Sequence, residues 1–237
     1  MKHIDRPASP LDADYFEKGG PGSGNRGHRG RPGEIGGSGP GGAAIVPAKK
    51  PNIKMAYKEK SKILEQELND KDKLHIGYYT DFGYQKLNGK LRRDEKLESR
   101  EQGVADSIDK AISLAGEGDW IVYRGSSMLA GRAELEFTKD RVLVLKGYQS
   151  TSLKESTASV FARGTATSQS GGGKTFRPVV MEISSKRGAP LGGKLSRRSE
   201  ETEVLLGSNI RYKVLDVENY SDRAHGGTFV KLEALYD

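Results

Sequence analysis

An α+β fold is predicted for this chain by three features of its hydrophobic pattern. Apolar residues recur at helical spacing as far as Ala115, the period shortens to two beyond Gly118, and the later strands do not alternate regularly with helices. Ile53, Tyr57, Leu64 and Leu68, with Lys and Glu between them, predict an amphipathic helix running to about His75. A short helical stretch covers residues 80–92. A clearer helix is marked by Val104, Ile108, Ala111, Ile112 and Ala115, and Gly116 and Gly118 stop it. Strands are predicted over residues 120–124, 141–145, 179–183, 203–206, 211–217 and 228–232, interrupted by a helix over 154–162. Residues 163–178 and 185–201 are rich in Gly, Ser and basic side chains and read as long loops, the kind of segment in which function concentrates.

The chain has 237 residues and 31 glycines, and 12 of those glycines fall within residues 19–42 beside three prolines. Glycine loses the most entropy on ordering, and this stretch has almost nothing to bury in return, so a flexible segment is expected. The organisation predicted is a Gly/Pro-rich basic tail, residues 1–51, followed by one globular domain, residues 52–237. The formal charge of +7 divides into +3 before residue 52 and +4 after it. It forms no concentrated basic face, and Arg26, Arg29 and Arg31 leave nucleic-acid binding undecided. The absence of Cys excludes disulfide scaffolds, Cys-ligated zinc, iron–sulfur clusters and thiol catalysis. No run of 18 apolar residues occurs and the N-terminus lacks a signal-peptide core, so a soluble, non-secretory product without a membrane partner is expected.

Two motifs fail on inspection. Gly171-Gly-Gly-Lys-Thr175 ends like a phosphate-binding loop, but Ser168 stands where the pattern needs glycine, and no strand-to-helix context surrounds it. His3, His28, His75 and His225 are scattered without ligand spacing, so no metal is expected.

Three other pieces gain meaning from their order. Val122-Tyr-Arg124-Gly125 puts an arginine at a strand end, Gly147-Tyr-Gln-Ser150-Thr151-Ser152 ends another strand in a polar triplet, and Ser199-Glu-Glu201-Thr-Glu203 runs into the apolar Val204-Leu-Leu206. Singly, each reads as a surface arginine, a helix cap or a solvated acidic edge. Together they resemble the Arg / Ser-Thr-Ser / Glu-x-Glu signature of the mono-ADP-ribosyltransferases, in the toxin-like branch that carries Arg at position 124. The flanks extend the resemblance: Tyr79-Thr80, Gly83-Tyr84 and Asn88-Gly-Lys-Leu91-Arg92 are similar to the family's N-terminal helices, and Phe161 follows Ser150 at the interval of its nicotinamide-stacking aromatic. The resemblance covers roughly residues 52–237 and implies N-terminal helices followed by a two-sheet mixed β core enclosing an NAD⁺ cleft.

It also implies roles. Glu203 would bond the ribose 2′-hydroxyl and stabilise the ribosyl cation left when nicotinamide departs. Glu201 would act as general base toward an incoming guanidinium, and two side chains two apart on an extended segment would reach one cleft together. Arg124 would brace phosphate or ribose, Gly125 would let the backbone approach nicotinamide, and Ser150 would hydrogen-bond Glu203. Thr151 and Ser152 would support the strand end, with Thr151 also among the NAD⁺-binding residues beside Tyr79, Asn88 and Arg92. Phe161 would stack on nicotinamide or serve as a core aromatic, and Arg163 would contact pyrophosphate. The loop ending at Glu201 would recognise the target, with Arg197, Arg198 and Ser199 where relatives often have an aromatic.

The resemblance thus implies NAD⁺ as co-substrate without a metal, and bacterial host proteins, modified on arginine, as acceptors. The tail's glycine pattern resembles a segment of phage head-associated proteins. That implies a virion-packaged or infection-delivered enzyme in the host cytoplasm, with capsid or head proteins as partners of the tail. Two alternatives stand: an NAD⁺ glycohydrolase without a protein acceptor, and a non-catalytic virion structural protein.

Overall fold

The computed structural model describes residues 52–196, 201–220 and 226–236; the tail lies outside them, as do Arg197, Arg198, Ser199 and His225. The fold is α+β, as the pattern predicts. Four helices come first: α1 (Ile53–Glu67), α2 (Asp70–Tyr78), α3 (Tyr84–Arg92) and α4 (Ser99–Ala115). The single helix expected to run to His75 is broken after Glu67. Asn69 adopts an extended conformation, and its side chain accepts a bond from the Asp72 backbone N–H, capping a new helix. Between α2 and α3 the chain takes a π-helical turn, Tyr79–Gly83, so the stretch expected to begin at residue 80 is partly a wider coil.

Strand β1 (Glu117–Leu129) follows, then a one-turn helix α5 (Arg132–Glu136), β2 (Val142–Leu145), β3 (Gln149–Ser152) and helix α6 (Glu155–Gln169). The remaining strands are β4 (Phe176–Arg187), β5 (Ala189–Leu191), β6 (Glu203–Leu206), β7 (Ile210–Tyr220) and β8 (Gly227–Leu235). The first expected long loop is largely regular structure, and the second is regular over residues 185–187 and 189–191. Residues 163–169 continue α6, because Ala158, Ala162 and Ala166 keep a buried stripe at spacing four on β1 and β4. Residues 185–187 belong to β4, and β5 occupies the middle of the second segment by pairing with β6.

The eight strands run in the order β2-β7-β8-β4-β1-β3-β6-β5, antiparallel except for the β4–β8 pair. One apolar cluster joins Val204 and Leu206 of β6 with Trp120 and Val122 of β1, Ile183 of β4 and Tyr212 and Val214 of β7, so both ends of the sheet share a core. A second cluster joins Leu64, Ile76, Tyr79 and Ile108 of the helical layer to Leu191 of β5 and Leu205 of β6. Each fully buried aliphatic side chain contributes roughly 1.5–3 kcal/mol. Helix α6 covers β1 and β4 through a small third cluster of Ala158, Ala162 and Val180. The helical layer over β5 and β6 and helix α6 over β1 and β4 therefore stand over neighbouring parts of the sheet, with β3 between them.

Candidate active site

The predicted residues converge where β1 meets β3. The register pairs Tyr123 of β1 with Ser152 of β3, and Ser152 in turn with Glu203 of β6, so all three share one face of the sheet. Arg124 donates from Nη1 to the Ser150 carbonyl at 2.9 Å, tying the two motif strands together. Burial lowers the pKa of the Arg124 guanidinium despite the pull of Tyr79 and Tyr212 toward the charged form. Burial, with the like charge of Arg124 beside it, brings Arg92 down to about 10. Two guanidiniums crowded in a low-dielectric wall form a donor set suited to a dianion such as a pyrophosphate.

Glu203 is only 7% exposed. Its carboxylate accepts a bond from Ser196 Oγ at 3.4 Å, a partner that no sequence pattern signals, whereas the Ser150 side chain lies beside the Tyr79 hydroxyl. Ser196 is delivered by the turn of residues 192–196, which hugs α1. Glu65 accepts from the Lys194 N–H at 3.0 Å, and Gly193 turns with φ +57 where a Cβ would meet that carboxylate.

Tyr79 and Asn88, expected to touch NAD⁺, stand behind the surface. Tyr79 is fully buried, and its hydroxyl donates to the Tyr148 carbonyl at 3.3 Å. The Asn88 side chain donates to the Tyr79 hydroxyl and to the Tyr148 carbonyl and accepts from the Tyr148 N–H at 2.9 Å. These bonds hold the backbone just ahead of Ser150. Burial drives the Tyr79 phenol up to about 12, so it remains protonated while lying close to both Glu203 and Arg124. Thr151 likewise faces inward, its hydroxyl bonded to the Val204 carbonyl at 2.5 Å.

Gly125 serves a different approach from the one expected. A Cβ there would lie 1.9 Å from the Ala158 carbonyl oxygen, so its bareness admits the backbone of α6. Phe161 sits on α6, within the expected helix, and Arg163 sits on the same helix instead of a loop; Phe161 is 40% exposed, which removes the core-aromatic reading. Glu201 is half-buried, and Thr202 between the two glutamates has φ +48. The segment is therefore not extended at Thr202, and the strand alternation expected to put both carboxylates on one face does not hold there. Among the described residues no group of three His, Asp or Glu side chains could hold a metal ion, and no helix is long and apolar enough to cross a membrane.

An arginine on one strand, a Ser-Thr-Ser strand beside it and a buried glutamate opening a third define the ADP-ribosyltransferase class. The chain belongs to the ADP-ribosyltransferase exoenzyme family, whose profile matches residues 57–236. Its activity is therefore mono-ADP-ribosyl transfer, in the toxin-like group. Vis, an ADP-ribosyltransferase toxin from Vibrio splendidus, shares the fold at 18% identity and a TM-score of 0.59, over 81% of this chain and 89% of its own. Plx2a from Paenibacillus larvae matches at 18% and 0.61, over 77% and 94%. C3stau2 from S. aureus, solved with NAD, matches at 19% and 0.58, over 78% and 97%. Vis has also been solved in complex with agmatine. The comparison with curated proteins yields no match.

Proposed function

We propose that this enzyme transfers ADP-ribose from NAD⁺ to arginine side chains of bacterial host proteins. The observation that carries the NAD⁺ site is the convergence of Arg92, Arg124, Ser150 and Glu203 around the Tyr79 hydroxyl. Arg92 and Arg124 bind the pyrophosphate, relieving their mutual repulsion. Glu203, oriented by Ser196, stabilises the positive charge that develops on the ribose as the C1′–nicotinamide bond breaks and its electron pair leaves with nicotinamide. Glu201 takes a proton from the incoming guanidinium, whose nitrogen then bonds C1′. Phe161, exposed on α6, supplies the stacking face for nicotinamide, and Arg163 a further contact to phosphate.

Arginine as acceptor is supported by a carboxylate at position 201, because a guanidinium is a poor nucleophile until it loses a proton, and agmatine bound to Vis is a guanidine of that kind. The likeness of residues 19–42 to phage head-associated segments supports a phage-derived enzyme delivered into a bacterial cytoplasm, with head proteins as partners of the tail. The test is incubation with labelled NAD⁺ and bacterial lysate, followed by mapping of the modified side chain. Glu203→Gln should lower all NAD⁺ consumption by about 100-fold or more. Glu201→Gln should lower transfer by about 100-fold and leave hydrolysis within a few-fold. Label found only as free ADP-ribose, or transfer and hydrolysis falling together in Glu201→Gln, would overturn the arginine reading.

A further inference from the structure

The geometry points to Thr202 as a positioning residue that sets how much NAD⁺ goes to an arginine acceptor and how much to water, acting through Glu201; this rests on the function proposed above. A β-branched residue seldom adopts positive φ, yet Thr202 does so between the two glutamates, at φ +48. In an extended strand Glu201 would fall on the same face as Glu203, toward the packed helical layer. The left-handed turn breaks that alternation, so Glu203 is buried at the start of β6 while Glu201 stays half-buried.

Hydrogen bonds hold the turn on both sides. The Ser152 hydroxyl donates to the Glu201 carbonyl at 2.5 Å and accepts from the Lys154 N–H at 3.0 Å. The Thr202 hydroxyl donates to the same Glu201 carbonyl at 2.7 Å, and the Thr202 carbonyl accepts from the Leu153 N–H at 3.2 Å. The backbone of Glu201 is thus latched to the β3–α6 junction. The latch separates one carboxylate for the ribose from one for the guanidinium.

The experiment uses the full chain with NAD⁺ and agmatine, measuring ADP-ribosyl-agmatine against free ADP-ribose, and KM for NAD⁺. Thr202→Ser, which keeps the hydroxyl that bonds the Glu201 carbonyl, should keep the transfer-to-hydrolysis ratio within twofold. Thr202→Val keeps the branch without the hydroxyl and should lower that ratio at least fivefold, with hydrolysis and KM for NAD⁺ within twofold. Ser152→Ala, which removes the other latch bond, should move the ratio the same way and serves if the valine variant does not fold. An unchanged ratio in both Thr202→Val and Ser152→Ala, or a KM that moves in step with it, would overturn the assignment. Absence of both products from the wild type would instead overturn the proposed function.

Discussion

The two elements flanking the motif strands are built by different physics. On the helical side, Tyr79, Asn88 and Tyr148 are buried polar groups whose hydrogen bonds converge on the backbone ahead of Ser150. On the other side, α6 lies on β1 and β4 through alanines and the bare Gly125, with backbone meeting backbone. The first arrangement is specified by direction, since each donor has its acceptor. The second is specified mainly by volume, with a side-chain bond from Ser127 to Gln169 at its C-terminal end, and it carries the exposed Phe161 and Arg163. A site that must hold its charged groups fixed while a large dinucleotide enters and leaves has use for both kinds of wall.

The contact-built wall should break most sharply. Gly125→Ala puts a methyl group 1.9 Å from the Ala158 carbonyl oxygen, and neither backbone can yield locally. Overpacking of this kind costs about 1–3 kcal/mol, and more where backbone is the obstacle. Urea unfolding should show a loss of about 3 kcal/mol, and NAD⁺ binding measured by calorimetry should weaken as α6 is displaced. Unchanged stability would mean that α6 sits further from β1 than the geometry requires.

The hydrogen-bonded wall should fail more gently. Asn88→Ala removes three bonds and leaves the Tyr148 N–H buried without its acceptor, at a cost of about 1–3 kcal/mol. Its signature is in catalysis: Ser150 should be held less firmly, lowering kcat more than it raises KM for NAD⁺. A rise in KM alone would return Asn88 to the role of a direct NAD⁺ contact.

Legibility in the sequence follows the same division. The helix at Val104 to Ala115 and the strand at Glu203 were readable because their apolar periods are long or their motif is ordered. Arg124, Ser150 and Glu203 could be picked out by residue type and order. The break at Asn69 was hidden because Lys and Glu continue across it at helical spacing. The end of α6 was hidden because its buried stripe is alanine, which carries little hydropathy signal beside Gly, Thr and Ser. The spatial relations left no local mark: Gly125 against α6, Asn88 turned inward, Ser196 on Glu203 and the left-handed Thr202 all depend on partners distant in sequence or on a backbone state that threonine rarely adopts.

Acid should separate the two walls by the narrowest margin. At the start of α4, Glu101 accepts bonds from Lys86 at 2.8 Å, from Lys90 at 2.7 Å and from the Glu98 N–H at 2.9 Å, anchoring α3 to α4. The hydrogen bonds from Lys86 and Lys90, the largest influences, hold its carboxyl at about 2 against the ordinary 4.5. A folded-state pKa below the unfolded one contributes stability that is fully present above about pH 4.5 and is lost as pH falls through about 2. Within that window the contact between α3 and α4 should loosen while the alanine-packed α6, which has no carboxylate in its buried stripe, keeps its protection. Hydrogen exchange followed from pH 5 to pH 2 should show the amides of α3 and α4 opening before those of α6, and Glu101→Gln should make the acid dependence of stability shallower. Simultaneous opening of both walls, or an unchanged acid limb in Glu101→Gln, would show that charge and packing are not divided between them in this way.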